Sequence, residues 1–303
     1  MLLLQQMIVL FIYMMIGYFA CKKGKMDEEA GSKLSWIVLN IANPMLVISA
    51  AVNGEGEIKG LDLIFTAAVA VWMFAVLGLL AQFLPKLLHV EKKDIPLYKL
   101  MIIFSNMAFM GFPLISATYG SNALLYAAVF LLPYNILIYT YGVQVVKEEQ
   151  AEKKFAWDKI LNVGVISCMI AAVLYIGHIP VPQFVKTCSQ GLGNLTGPLS
   201  MIVTGISLTK IKIKDLFLDA KLLIFSLIKL IIIPIAGTLL LKQVVDNTLL
   251  CGTFMIIIST PVASMTLMLA EPEREECEAL VKGISLTTIL SVVTIPLISA
   301  IVF

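Results

Sequence analysis

Charge is what this chain has least of. Of 303 residues only 14% are Asp, Glu, Lys or Arg, while 59% are hydrophobic; soluble domains carry roughly 25% charged residues. That deficit excludes an ordinary soluble domain. Arginine is almost missing, with Arg274 the single example among 22 basic residues. The five cysteines, Cys21, Cys168, Cys188, Cys251 and Cys277, show no close spacing, so they give neither a disulfide framework nor a metal cluster. P-loop, G-x-S-x-G and H-E-x-x-H patterns are absent, which argues against nucleotide hydrolysis, serine hydrolysis and zinc proteolysis. The net charge of +2 is spread between apolar runs, so no nucleic-acid partner is expected. No metal and no cofactor is expected either.

What the chain has in abundance is long apolar runs. Each covers about 20 residues, enough for a hydrocarbon core of roughly 30 Å. Ten spans are read: Leu2–Cys21, Leu34–Val52, Leu61–Leu84, Leu97–Tyr119, Ala123–Val146, Ile160–Gly177, Phe184–Thr209, Leu222–Leu241, Leu249–Ala270 and Leu280–Phe303. The first run is followed by Lys22-Lys-Gly-Lys25 without a small-residue cleavage motif, so it is expected to remain as a span. The expected fold class is an all-α polytopic membrane protein in the lipid bilayer.

The loops supply an orientation. Four basic residues follow each of spans 1, 3, 5 and 7 and two follow span 9, eighteen of the 22 in all. The opposite side carries Lys59, Lys186 and Lys242, and Lys229 falls inside a span. Basic residues accumulate on the cytoplasmic side, so both termini are expected outside the cell (plasma) membrane and the loop around Lys147–Lys159 in the cytoplasm. Five spans per half is an odd number, so the second half (151–303) must enter inverted relative to the first (1–150). Short echoes agree: Asn40-Ile-Ala-Asn-Pro44 in span 2 against Asn194-Leu-Thr-Gly-Pro198 in span 7, and Ile58-Lys-Gly-Leu-Asp62 against Ile213-Lys-Asp215 at the openings of spans 3 and 8.

The sharpest signal is a proline deep in the fourth span of each half, Pro113 and Pro261. Proline removes a backbone donor and presses on the carbonyl four residues earlier, here Phe109 and Ile257, so the helix bends or breaks there. In hydrocarbon such a break persists only where protein or a polar cavity satisfies the freed groups. Interrupted helices at matching places in two repeats point to a transporter's binding site. Half-helix N-termini at the breaks suit an anion. Ser105, Asn106, Thr260 and Ser264 lie around them as hydrogen-bonding side chains, although Ser, Thr and Asn also glue helices together. Gly111 beside Pro113 serves either close packing or backbone exposure to a ligand. Asn43 and Pro44 in span 2 form a second matched pair with Pro198, open equally to a cavity wall or a packing kink. Lys229 lies roughly 13 Å deep at about 1.5 Å per residue, a position costing about 2.5–3.5 kcal/mol on insertion scales. It is read as a substrate counter-ion, a partner of Asp215 or Asp219, or a snorkelling side chain.

In their order these residues resemble the auxin efflux carrier family. The resemblance rests on Asn40-x-x-x-Pro44, on Asn106 followed by Gly111-Phe-Pro113-Leu, and on Gly197-Pro198-Leu with Gly205. It continues through Lys229-Leu-x-x-x-Pro234, Thr260-Pro261-x-Ala263-Ser264, Leu286-Thr-Thr-Ile-Leu-Ser291 and Thr294-x-Pro296-Leu297. It implies ten transmembrane helices as a 5+5 inverted repeat with broken, crossing helices 4 and 9. Spans 1, 2, 6 and 7 would form a scaffold that dimerises, and spans 3–5 and 8–10 a moving transport unit. The short loop between spans 5 and 6 favours the bacterial, malate-permease-like branch. The function implied is secondary transport of a small organic anion, in the efflux direction. A sodium-coupled transporter of the bile-acid type and a non-transporting membrane receptor are the alternatives.

Overall fold

The computed structural model describes residues 2–53, 60–146, 162–209, 216, 218–270 and 277–303. The basic loop Lys147–Lys159, Lys210, Lys212, Lys214, Asp215 and Arg274 lie outside the described residues. Within them the chain is helical, and its extended pairing is a single bridge described below. Among the described residues six helices are long and apolar enough to cross a membrane: α1 (Leu2–Lys22), α2 (Glu28–Asn53), α3 (Gly60–Leu87), α6 (Ser121–Val146), α10 (Ala220–Lys242) and α13 (Glu278–Val302). Shorter apolar helices are α5 (Met107–Tyr119), α7 (Val163–Ile176) and α11 (Thr248–Ser259). The remaining segments are α4 (Ile95–Ile103), α8 (Gln183–Gly193), α9 (Thr196–Leu208) and α12 (Met265–Ala270). The chain is thus a multi-pass, all-helical membrane protein.

Each long helix is sided. On α1, Leu3, Met7, Leu10 and Met14 are buried, whereas Leu4, Ile8, Phe11, Ile12, Ile16 and Phe19 face outward. The buried stripe recurs at helical spacing, and the apolar outer face suits lipid. The α1 stripe packs on α9, and glycine sets the approach. A Cβ at Gly17 would run into the Ile202 carbonyl, and one at Gly205 into the Met14 carbonyl. Two backbones lie directly against one another there, as small residues allow in membranes.

Prolines are absorbed in a recurring way. Wide π turns occupy Val38–Ala42 in α2, Met107–Gly111 in α5 and Ile228–Ile232 in α10. Each closes on the residue just before a proline: Asn43 N–H reaches Val38 O, Phe112 reaches Met107 O, and Ile233 reaches Ile228 O. Pro44, Pro113 and Pro234 follow. Lengthening one turn by a residue shifts the carbonyls that the proline ring would otherwise strike. Pro113 therefore lies inside a continuous half-helix and does not break it.

The predicted break of the fourth span lies earlier, at Phe104–Asn106, between α4 and α5. That of the ninth span lies at Thr260–Ser264, between α11 and α12, and contains Pro261. The seventh span is also divided, with Asn194 and Leu195 between α8 and α9, so Pro198 occupies the first turn of α9. Helix ends at Gly24, His89 and His178 adopt left-handed backbone, with φ of 67°, 51° and 47°. In each case the next residue donates to the carbonyl five before it: Lys25 to Ala20, Val90 to Pro85, Ile179 to Leu174. This is the Schellman arrangement, and it gives the two border histidines a backbone role.

Candidate functional site

The two breaks meet. Phe104–Asn106 and Pro261–Ala263 run antiparallel, bridged at Ser105 and Val262. The Asn106 N–H donates to Pro261 O at 2.7 Å, and the Ala263 N–H to Phe104 O at 3.0 Å. A third donor, Val262 N–H, reaches Thr287 Oγ1 of α13 at 3.1 Å. Each broken helix thereby satisfies part of the other's exposed backbone, which a membrane interior demands. The Thr260 hydroxyl donates to Ile257 O at 2.8 Å, the carbonyl that Pro261 deprives of its helical donor. Thr260 is a cap of α11.

Lys229 closes the other half of the crossing. It is fully buried, and its Nζ donates to Ile102 O at 2.9 Å and to Ser105 Oγ at 2.7 Å. Ile102 is near the end of α4, where the last carbonyls lack helical partners and carry the negative end of the dipole. An ammonium there answers both. Asp219, an expected partner, instead caps α10 by accepting from the Leu222 N–H at 3.1 Å. The structure thus ties Lys229 and Ser105 to each other and to the crossing, and neither lines the two chambers beside it.

Beside the crossing are two chambers. The first, about 340 Å³, is walled by Asn40, Asn43, Asn106, Asn135 and Asn162, with Trp36, Tyr134, Tyr139, Ala108 and Phe109. The second, about 370 Å³, is lined by Glu28 and by Ser32, Ser35, Ser207, Ser264 and Ser285 among apolar residues. They share Ser32 and Phe109. Their lining comes from the starts of α2 and α13 and the end of α9, with the start of α7 and the later part of α6, so both occupy one side of the crossing.

Asn106 is the hinge between crossing and chamber. It precedes α5 without capping it, and its buried Nδ2 has no partner among the described residues. The Met107 N–H turns back to Ser105 O at 2.8 Å. The next amides, of Ala108 and Phe109, belong to the first turn, which has no intrahelical acceptors, and both residues line the first chamber. Across it the Asn43 Oδ1 is likewise buried and unpartnered. Gly111 and Pro113 lie behind this wall. Gly111 packs on Thr260, and Pro113 on Gly197 of α9. The Phe109 carbonyl, which Pro113 leaves without its usual donor, accepts from Ser200 Oγ at 2.6 Å.

Of the nine residues singled out from sequence, Asn43 and Asn106 line the amide chamber and Ser264 the serine chamber. Ser105, Gly111, Pro113, Thr260, Pro261 and Lys229 build the crossing around them. Asn135 and Asn162 were missed. Asn162 donates to Asn135 Oδ1 at 2.8 Å and caps α7 through the Val165 N–H. For Asn135 the available signal was an amide inside an apolar span; for Asn162 it was a cap residue, obscured because the sixth span is read from Ile160 while α7 starts at Val163.

An all-helical membrane chain with crossed, broken helices beside polar chambers defines a membrane transporter. A family model described as membrane transport protein matches residues 2–299, so the chain belongs to that family, the auxin efflux carrier family whose motifs it carries. An uncharacterized transporter of Methanocaldococcus jannaschii is 25% identical, with 96% of each chain covered. Family and relative are transporters and not enzymes.

Proposed function

We propose that this protein is a secondary carrier of small organic anions, carboxylates first among them, working by elevator-like alternating access. The observation that carries the proposal is the uncapped start of α5. Asn106, whose buried Nδ2 has no partner among the described residues, and Ala108 and Phe109 of the first turn, whose amides have no intrahelical acceptors, line a chamber of about 340 Å³. The half-helix Met107–Tyr119 is long enough to present a useful dipole, and such an end holds an anion without a dedicated cation. Aromatic and apolar walls then take the organic body of the substrate.

In this reading the chain crosses the membrane ten times as a 5+5 inverted repeat. Spans 1, 2, 6 and 7 form the scaffold and the dimer contact, and spans 3–5 and 8–10 the moving unit. Both termini lie outside the plasma membrane, so the two chambers open to the cytoplasm. The membrane potential is worth about 2.3 kcal/mol per charge per 100 mV. With the inside negative it drives an anion outward, and efflux then needs no coupling ion.

Thermal shift of purified protein with a panel of mono- and dicarboxylates, wild type beside Asn106→Ala, tests this. At least one carboxylate should stabilise the wild type, and the variant should lose that stabilisation. If no carboxylate shifts the wild type, the anion assignment fails; a shift retained in the variant removes the site from α5.

A further inference from the structure

We propose that Thr196 and Ser200 are positioning residues that hold the Phe109 carbonyl in turn, one hydroxyl for each end state of the transport cycle. The inference rests on the alternating-access reading. In this conformation Ser200 Oγ donates to Phe109 O at 2.6 Å. The bond joins α9 to the wide first turn of α5, the turn that frames the amide chamber. It exists because Pro113 supplies no N–H to that carbonyl.

Ser200 is the middle rung of a hydroxyl ladder. Thr196, Ser200 and Thr204 recur every four residues along one face of α9, and all three are buried. Two rungs have acceptors: Ser200, whose Oγ lies 2.6 Å from Phe109 O and 3.1 Å from Gly197 O within its own helix, and Thr204, which donates to Ser200 O at 2.8 Å. The third does not. Thr196 Oγ1 is fully buried with no partner among the described residues, an arrangement that proteins rarely leave without a reason.

The vacant rung is on the side to which the moving unit must go. The serine chamber lies toward the end of α9, since Val203, Ile206 and Ser207 line it, and the amide chamber adjoins it through Ser32 and Phe109. Closing that side and opening the other carries α5 toward the start of α9, away from Ser207 and toward Thr196. One rung is four residues, or about 6 Å at about 1.5 Å per residue. After that step Phe109 O would leave Ser200 and meet the Thr196 hydroxyl. Neither end state then strands a buried carbonyl, and the helix pair has two discrete resting registers.

The test reads the balance of states without any substrate, so it succeeds or fails independently of the carboxylate assignment. Ala108→Cys, in a background with the five native cysteines replaced, reports chamber exposure to a membrane-impermeant maleimide from each face of sealed vesicles. Ser200→Ala should move the ratio of labelling roughly five-fold toward the face opposite the present chambers, as loss of one net hydrogen bond implies. Thr196→Val should move it by a similar factor the other way, Thr196→Ser should leave it at the parent value, and the Ser200→Ala/Thr196→Val pair should restore it. Shifts of the same sign, no shift in either single variant, a pair that fails to return to the parent ratio, or labelling confined to one face throughout would each overturn the proposal.

Discussion

At the scale of single residues, Lys229 shows how much can be read from position and how little from position alone. Its depth marked it as costly, and the possible partners considered were carboxylates or a substrate. Its actual partners are a carbonyl and a hydroxyl exposed by a broken helix 124 to 127 residues away in sequence. Nothing local to span 8 announces them. Replacing the lysine leaves both acceptors buried without a donor, and each orphaned group costs about 1–3 kcal/mol. Lys229→Met should therefore lower the melting temperature of the purified protein clearly. Ser105→Ala should cost less, because Lys229 keeps its bond to Ile102 O. Removal of Ser105 should also matter less once Lys229 is gone, since the two share one interaction. Equal and additive losses in a double-mutant cycle would show that the bond contributes nothing.

At the scale of elements, the sequence pattern placed the crossing in the right two spans and misplaced one of its breaks. Pro261 lies in the break of the ninth span, as its position suggested. Pro113 lies nine residues beyond Phe104, inside a half-helix whose π turn accommodates the ring. The residues of the true break, Phe104–Asn106, contain no helix breaker. They are extended because pairing with Pro261–Ala263 and capping by Lys229 repay the lost helical bonds, a tertiary effect that local propensity does not contain. Glycine was legible in the same partial way. Gly205 was noted as a motif residue, but only the structure shows its neighbour to be the backbone of Met14 and Tyr18. Gly78, inside α3, has open space around its Cβ position. Gly205→Ala should destabilise by about 1–3 kcal/mol through overpacking of α1 on α9. Gly78→Ala should stabilise by up to about 1 kcal/mol, the helix-propensity difference. Thermal melts of the two variants in detergent decide it; a neutral Gly205→Ala would mean that α1 can move off α9 at little cost.

For the whole molecule, the decisive quantity is which side of the membrane the chambers face, and here loops and cavities have to agree. The starts of α2 and α13 and the end of α9 lie on the chamber side. They adjoin the segments that carry most of the positive charge, including Lys22, Lys23, Lys25 and Lys33. The turn from α10 to α11, with exposed Gln243 and Asp246, lies on the other side. If positive charge marks the cytoplasm, the described state is open inward, and an anion can enter the amide chamber from the cell and leave with the potential. The charge pattern is a property of the whole chain, which is why it was legible where the chamber walls were not. Those walls combine Asn40 and Asn43 with Asn106, Asn135 and Asn162 from separate helices, and only packing brings them together. In a cysteine-free background, Gln243→Cys should react with a membrane-impermeant maleimide on intact cells, and Lys23→Cys only after the membrane is opened. The reverse pattern would turn the molecule over. The same chambers would then open outward, and the potential would oppose uptake of an anion through them, so that a carrier of this geometry would need a coupling ion.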